Sequence, residues 1–563
     1  MAKSRPHVRR TVAPPARPPK HDLQPMLPRW APWLCGAALV AATLAAFFPA
    51  FSADFVRFDD HQYVTENKLL RDAAGLKEIW NPFATTLPQY YPLVFSSYWL
   101  EYRLWQLTPA GYHLTNVLLH ALNALLVLQL VRTLGASLWL AAGAAALFAL
   151  HPAQVESVVW VTERKNTLSG FFFLVAFLLY LRHRRTGRWN AYGGSLAAFS
   201  CALLSKTQTV SFPVIAAFTD WLLQRDRRLR RLEPAAVAAR IAPMLALALV
   251  GAVITALVER RAAPHWFTPA PLLERGIVAL TVPWFYLKTF LAPLSLSPFY
   301  PKWEIVASSP KWWVGGLAWA AVLTILVRWR QRMAALLLWG SVEFLAALIP
   351  VLAVVPFAFQ QYSYVADRFL YLSCIGGGVI ATAAAERLAG SARWTLRSAT
   401  VLASGVLVLL ACGVATHRQS TYWQSDFAFW TFAAQRNPQA YPPQINLGHL
   451  YKAKAEWPEA LEHYRAAHLL QPADTLALKN YLEALQSVRG ADAVVAACDE
   501  ELAQRVTNTY VVHLYRAQSC ELLGRRAEAA ADYDAALRVT RPGSPAWQHV
   551  QQRRARLEAS APP

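Results

Sequence analysis

The sequence predicts an all-α protein: a polytopic helical membrane domain followed by a soluble α-solenoid. Three observations predict it. Of 563 residues, 55% are hydrophobic and only 16% are charged, where a soluble globular chain carries about 25% charged residues. Several apolar runs reach the roughly 20 residues that cross a bilayer. From about residue 441 the apolar runs give way to a polar helical pattern that fits a repeat of about 34 residues.

Residues 1–30 are rich in Pro, Arg and Lys with no apolar period, and read as a disordered basic cytoplasmic tail. Ala31 to Phe51 is the first span. It reads as an uncleaved anchor, because the apolar run is long for a signal peptide and more spans follow. Residues 52–111 form a long outer loop rich in Tyr and Trp. Spans follow at 112–131, 137–151, 166–182, 190–205, 207–223 and 240–257. Pro283, Lys288 and Pro293 interrupt the segment 276–294. Read as re-entrant or interfacial, this segment keeps the Arg328, Arg330 and Arg332 loop inside. That is the side of the Arg182, Arg184, Arg185 and Arg188 loop and of the Arg225, Arg227, Arg228, Arg230 and Arg231 loop. The last spans are 312–327, 333–355, 367–386 and 395–416.

About eleven spans in a domain covering 31–416 put the N-terminus inside and the C-terminus outside. The first outer loop, the 152–165 loop, the 258–311 region, the 356–366 loop and everything after 417 then share the outer face. The net charge of +21 lies largely in the tail and the short Arg-rich loops, so it reads as an orientation signal and not as a nucleic-acid footprint. Cys35, Cys201, Cys374, Cys412, Cys498 and Cys520 show no metal-ligand spacing and read as free thiols.

After a linker over 417–440, the soluble part spans 441–545, with a short tail over 546–563. On the tetratricopeptide template, Leu447, Gly448, Tyr451, Ala460, Tyr464, Ala467 and Pro472 all fall at the expected places. Gly524, Ala529, Tyr533 and Ala536 match in part over 510–543. The stretch between is degenerate, and two or three repeats are expected.

Four constellations carry candidate chemistry. Asp59-Asp60 stands in the first outer loop. It reads as a solvated turn, or as carboxylates that deprotonate an acceptor hydroxyl or hold a metal beside a phosphate. His151 to Asn166, with Glu156, Glu163, Arg164 and Lys165, reads as an interfacial helix or a phosphate clamp. Lys206, in Ser205 to Thr209, and Lys288 read as interface lysines or further cations for the same pocket. Asp367-Arg368 reads as an internal ion pair or an anion contact. His61, His113 and His120 are lone histidines and are assigned to no metal.

The order of these motifs resembles bacterial relatives of the transmembrane and tetratricopeptide repeat O-mannosyltransferases, glycosyltransferases of the GT-C class. The residues that carry it are FDDHQYVTEN (58–67), GYHLTNVLLHALNA (111–124), HPAQVESVVWVTERKNTLSGFFF (151–173), LLSKTQTVSFP (203–213), YLKTFLAPLSLSPFYP (286–301) and ADRFLYLSCIG (366–376), with Trp423, Phe427 and Phe429 as the lead-in to the repeats. The resemblance covers nearly the whole chain from about residue 31. Related sequences often have Asp where this chain has Asn166, and a longer repeat array.

The resemblance implies transfer of a sugar, mannose first, from a polyprenyl-phosphate donor to a hydroxyl acceptor such as protein Ser or Thr, by a single inverting displacement. Asp59 and Asp60 become the catalytic pair, without a choice between them. Arg164, Lys165, Lys206, Lys288 and Arg368 become the donor-phosphate set. His61, Tyr63, Glu163 and Tyr91 become the acceptor or pocket residues. A divalent Mg or Mn ion, if one takes part, would sit on Asp59 and Asp60. The partners implied are the lipid-linked sugar, membrane lipid, and a protein or peptide held by the repeats, with no nucleic acid. The Ala- and Arg-rich composition points to a bacterial inner membrane with a periplasmic site. A non-catalytic scaffold that recruits envelope proteins, or a transporter of lipid-linked sugars, are the rival functions.

Overall fold

The computed structural model describes residues 28–83, 86–224, 233–262, 270–331, 333–390, 395–504 and 509–559. Most of the basic tail and the Arg225 to Arg231 loop lie outside the described residues. The described residues form helices throughout, with no strand among them.

Among the described residues, five helical segments are long and apolar enough to cross a membrane: Pro109–Thr133, Val161–Thr186, Pro234–Arg261, Pro310–Trp329 and Leu396–Thr421. A sixth is the pair Leu138–Leu150 and Pro152–Val159, bent by 51°. Pro152 supplies the bend, because it has no N–H to continue the first helix. The expected span count therefore rests partly on shorter helices. The first expected span is the 16-residue helix Ala31–Ala46 followed by a tight turn over Phe48–Ser52. The spans expected at 190–205 and 207–223 are helices Trp189–Ser205 and Phe212–Leu223, with a break at Lys206.

The segment 276–294 departs from expectation. It is one continuous helix, Leu272–Leu291, that runs through Pro283. A single proline removes one hydrogen bond, and helices at membrane depth tolerate this where neighbours support the backbone.

Small residues set the closest packing in the bundle. A Cβ on Gly376 would lie 2.3 Å from the Gly340 carbonyl oxygen, so the helices Ala335–Leu348 and Ser373–Ala389 approach backbone to backbone, as glycine permits in a membrane.

Residues 417–440, expected as a linker, are structured. The last long apolar helix runs on to Thr421 and is followed by helix Asp426–Arg436. Trp423, Phe429, Trp430 and Ala433 lie in the same buried core as the membrane domain. Helix pairs follow. Their first helices begin at Tyr441, Thr475 and Thr509, each 34 residues after the last. Gly448 is where the first pair closes, since a Cβ there would meet the Tyr464 ring at 2.5 Å. The degenerate middle stretch forms a pair as regular as its neighbours. The expected C-terminal tail is helix Pro545–Ala559, with Val550 and Leu557 buried against the last pair. All six cysteines are free, and Cys498 and Cys520 are buried.

Candidate functional site

The acidic pair divides into two unlike residues. Asp60 is 1% exposed. Its Oδ1 accepts from the Thr162 N–H at 2.9 Å and the Thr162 hydroxyl at 2.6 Å, and its Oδ2 accepts from the Val56 N–H at 2.9 Å. Burial pushes its pKa up to about 7 despite these three donors. Asp59 is half-buried, and among the described residues nothing donates to its carboxylate. Burial raises its pKa as well. Lys165 and then Arg368 are the positive charges that act most strongly against that rise. The chain leaves the pair through a single π turn, His61–Thr65, a rare geometry that gathers at functional sites.

Three of the five predicted cations come together on Glu163. Lys206 Nζ lies 2.9 Å from its Oε2, while Lys165 Nζ at 3.2 Å and Arg368 Nε at 3.6 Å face its Oε1. Each arrives from a different element: the start of helix Arg164–Thr186, the break after helix Trp189–Ser205, and the turn Asp367–Leu370. Arg368 also pairs with Glu156, and its guanidinium lies over the Phe359 ring at 4.1 Å. The alternative of an Asp367–Arg368 pair is not what forms, since Asp367 instead accepts from the Tyr300 hydroxyl at 2.6 Å. Lys206 is buried, and burial lowers its pKa to about 8 even beside Glu163.

Asn166 completes the cluster. Its carbonyl oxygen accepts from Lys206 at 2.7 Å, and its amide donates to the Ser157 hydroxyl at 2.9 Å and the Arg368 carbonyl at 3.0 Å. An ionised Asp there would have no donor for the Arg368 carbonyl, so Asn serves this chain's arrangement.

The other two predicted cations lie elsewhere. Arg164 is fully buried but turns away, to Glu101, to Asn116 Oδ1 at 2.7 Å and to the Tyr112 carbonyl at 2.8 Å. Adjacent residues on a helix point in different directions, so Arg164 and Lys165 cannot serve one pocket. Lys288 is exposed on helix Leu272–Leu291. Its helix is unbroken, which removes the reason for placing it in a cavity.

Of the pocket residues, Tyr63 is buried and donates to Gln89 Oε1 at 2.5 Å. Lys165 reaches the same oxygen at 3.4 Å and sits 5.2 Å from the Tyr63 ring centroid. Tyr91 is buried within electrostatic range of Glu163 and Glu259. His61 is half-buried and in range of Asp59. His113 and His120 are buried and bond to the Asp54 and Ala149 carbonyls.

A metal does not fit the acidic pair. Both Asp60 oxygens are committed to N–H and O–H donors, which leaves one carboxylate beside two cations. Among the described residues no group of three His, Cys, Asp or Glu side chains could hold an ion.

An aromatic block ties this site to the repeats. Phe58, next to Asp59, stacks on Trp160 at 4.4 Å and also meets Phe299, Phe429 and Trp430. Trp160 stacks in turn on Trp423 at 5.8 Å. The Arg57 N–H donates to Asp426 at the start of helix Asp426–Arg436.

Sequence reasoning missed Thr162, Gln89 and Glu259. Thr162 stands inside a motif already singled out and could have been weighed as a carboxylate partner. Gln89 precedes Tyr90-Tyr91-Pro92 with no periodic signal. Glu259, beside Arg260 and Arg261, reads as an ordinary interface anchor at a helix end.

No family model matches the chain. Curated proteins do. It is 36% identical to protein O-mannosyl-transferase Tmtc2 of Drosophila melanogaster over 136 residues, 23% of this chain and 14% of that protein. It is 29% identical to the Homo sapiens protein O-mannosyl-transferase TMTC2 over 206 residues, 34% of this chain and 25% of that protein. A Caenorhabditis elegans protein O-mannosyl-transferase is 24% identical over 451 residues, 77% of this chain and 62% of that protein. The chain thus matches at most a quarter of the length of the first two relatives and less than two thirds of the third.

Proposed function

Since the chain is related to the protein O-mannosyl-transferases, we propose that it is an integral membrane glycosyltransferase. In this reading it moves a sugar, mannose first, from a polyprenyl-phosphate donor to a hydroxyl of a protein acceptor. The observation that carries the reading is the unbonded Asp59 carboxylate beside a cluster of three converging cations.

Asp59 is the base. It takes the proton of the acceptor hydroxyl as that oxygen forms its bond to the anomeric carbon. The bond from that carbon to the phosphate oxygen breaks, and its electron pair leaves with the lipid phosphate. A phosphate is a good leaving group, so one carboxylate suffices and the configuration inverts, unlike hydrolases that need two spaced carboxyls. Lys165, Lys206 and Arg368 hold the phosphate and stabilise its growing charge. Lys165 is the least committed, with its contacts at 3.2 and 3.4 Å. Asp60 is a positioning residue that clamps the Asp59 loop to Thr162.

The site and the repeats are read as facing the outside, the periplasm of a bacterial inner membrane, by the distribution of arginines. The tetratricopeptide-like pairs present the acceptor along their concave face. The experiment is release of polyprenyl phosphate from a labelled polyprenyl-phosphate mannose by the purified chain. A scaffold or a transporter would release none.

A further inference from the structure

One polar wall of the site has no role in the chemistry above. Gln89 Nε2 donates to Glu259 Oε1 at 2.9 Å, while Gln89 Oε1 receives the Tyr63 hydroxyl and faces Lys165. The Glu259 carboxylate also accepts from the Ala358 N–H. Two residues on, Gln360 is buried at 4% exposure with no partner for its Nε2. The wall is assembled from three distant parts of the chain: the outer loop, the end of helix Pro234–Ala262, and the turn Ala358–Gln361. A buried amide left without a partner calls for a ligand or a water to satisfy it. Phenol, carboxamide and carboxylate groups linked in one hydrogen-bonded row match neighbouring hydroxyls, each of which both donates and accepts.

Position says which hydroxyls. Phe58, beside Asp59, belongs to the aromatic block that meets helix Asp426–Arg436 ahead of the repeats. Lys165 sits 5.7 Å from the Trp160 ring centroid of that block and reaches Gln89, which bonds on to Glu259. A sugar whose phosphate lies on Lys165 has Gln89 and Glu259 as the next polar groups for its ring hydroxyls.

We propose that Gln89 and Glu259, with Tyr63 and Gln360, form the subsite that binds the hydroxyls of the donor sugar and selects which hexose is transferred. The proposal rests on the glycosyltransferase reading. The wall then sets discrimination between sugars and leaves the lipid phosphate to the cations. A site built to hydrogen-bond hydroxyls rejects a ligand that cannot satisfy it.

The test measures binding of two probes to the full chain in nanodiscs: polyprenyl phosphate, and the same lipid carrying mannose. Wild type should bind the mannosyl lipid more tightly. Glu259→Gln and Gln89→Ala should each lose about tenfold for the mannosyl lipid, the worth of about one hydrogen bond, while holding the bare lipid phosphate within about twofold. Retained binding of the bare phosphate shows that the variants are folded. Equal loss of both probes, or loss of neither, overturns the subsite and leaves the transferase reading standing. A wild-type chain that binds neither probe overturns both.

Discussion

Thr162 gives the Asp60 carboxylate two hydrogen bonds, from its N–H at 2.9 Å and its hydroxyl at 2.6 Å, and so fixes the loop on which Asp59 stands. Two adjacent aspartates therefore predict opposite phenotypes. Asp59→Asn should lower turnover of a mannosyl donor by about 10²- to 10⁴-fold, the range of one general base, with thermal unfolding unchanged. Asp60→Asn places an amide against N–H donors and should cost about 1–3 kcal/mol of stability, read as a lowered melting temperature in detergent. If Asp60→Asn alone abolished turnover in a fully stable protein, the roles would be reversed.

Activity should show a bell-shaped pH profile. Asp59 acts as a base only when ionised. Its pKa is raised by burial, so activity falls as pH drops through a value above the ordinary carboxylate range. Lys206 holds phosphate only when charged. Its pKa is lowered to about 8, so activity falls again as pH rises through that value. The profile of kcat/KM reports both limbs. Lys206→Arg keeps the charge and should push the alkaline limb upward. A flat rate across pH 8 would remove Lys206 from the phosphate set.

Arg164 and Arg368 should part company in the same way as the two aspartates. Arg164→Met strands the buried Glu101 carboxylate and should destabilise by about 3–5 kcal/mol. Its folded fraction should bind polyprenyl phosphate normally. Arg368→Lys keeps a charge but gives up the planar contacts to Glu156 and Phe359, and should raise the KM for donor.

Gly448→Ala should loosen the first helix pair by about 1–3 kcal/mol, because the new methyl meets the Tyr464 ring. Limited proteolysis should then cut after residue 440 before it cuts within the membrane domain.

The fold class was legible because hydrophobicity and the repeat template are local signals. Span limits were less so. Pro283 looked like a break and is carried inside a helix, since backbone support comes from neighbours that the sequence does not show. The site was half legible. Lys165, Lys206 and Arg368 stand in motifs that drew attention, and they do meet on Glu163. Arg164 drew equal attention by its proximity to Lys165 and faces Glu101 instead. Sequence spacing gives position on a helix but not which neighbour fills the other face. Gln89 and Glu259 were invisible because 170 residues separate them and neither stands in a patterned stretch.

The stack from Phe58 through Trp160 to Trp423, with Phe429 and Trp430 against Phe58, sets the place where this protein can be cut and joined. A chimaera that exchanges the helix pairs with those of a relative at residue 440 inherits its host's aromatic wedge intact. One joined between Thr421 and Trp423 imports a foreign wedge under Asp59. The natural graft point is therefore behind the wedge and not at the end of the last apolar helix. Diversification of the helix pairs can then proceed without disturbing the residue beside Phe58.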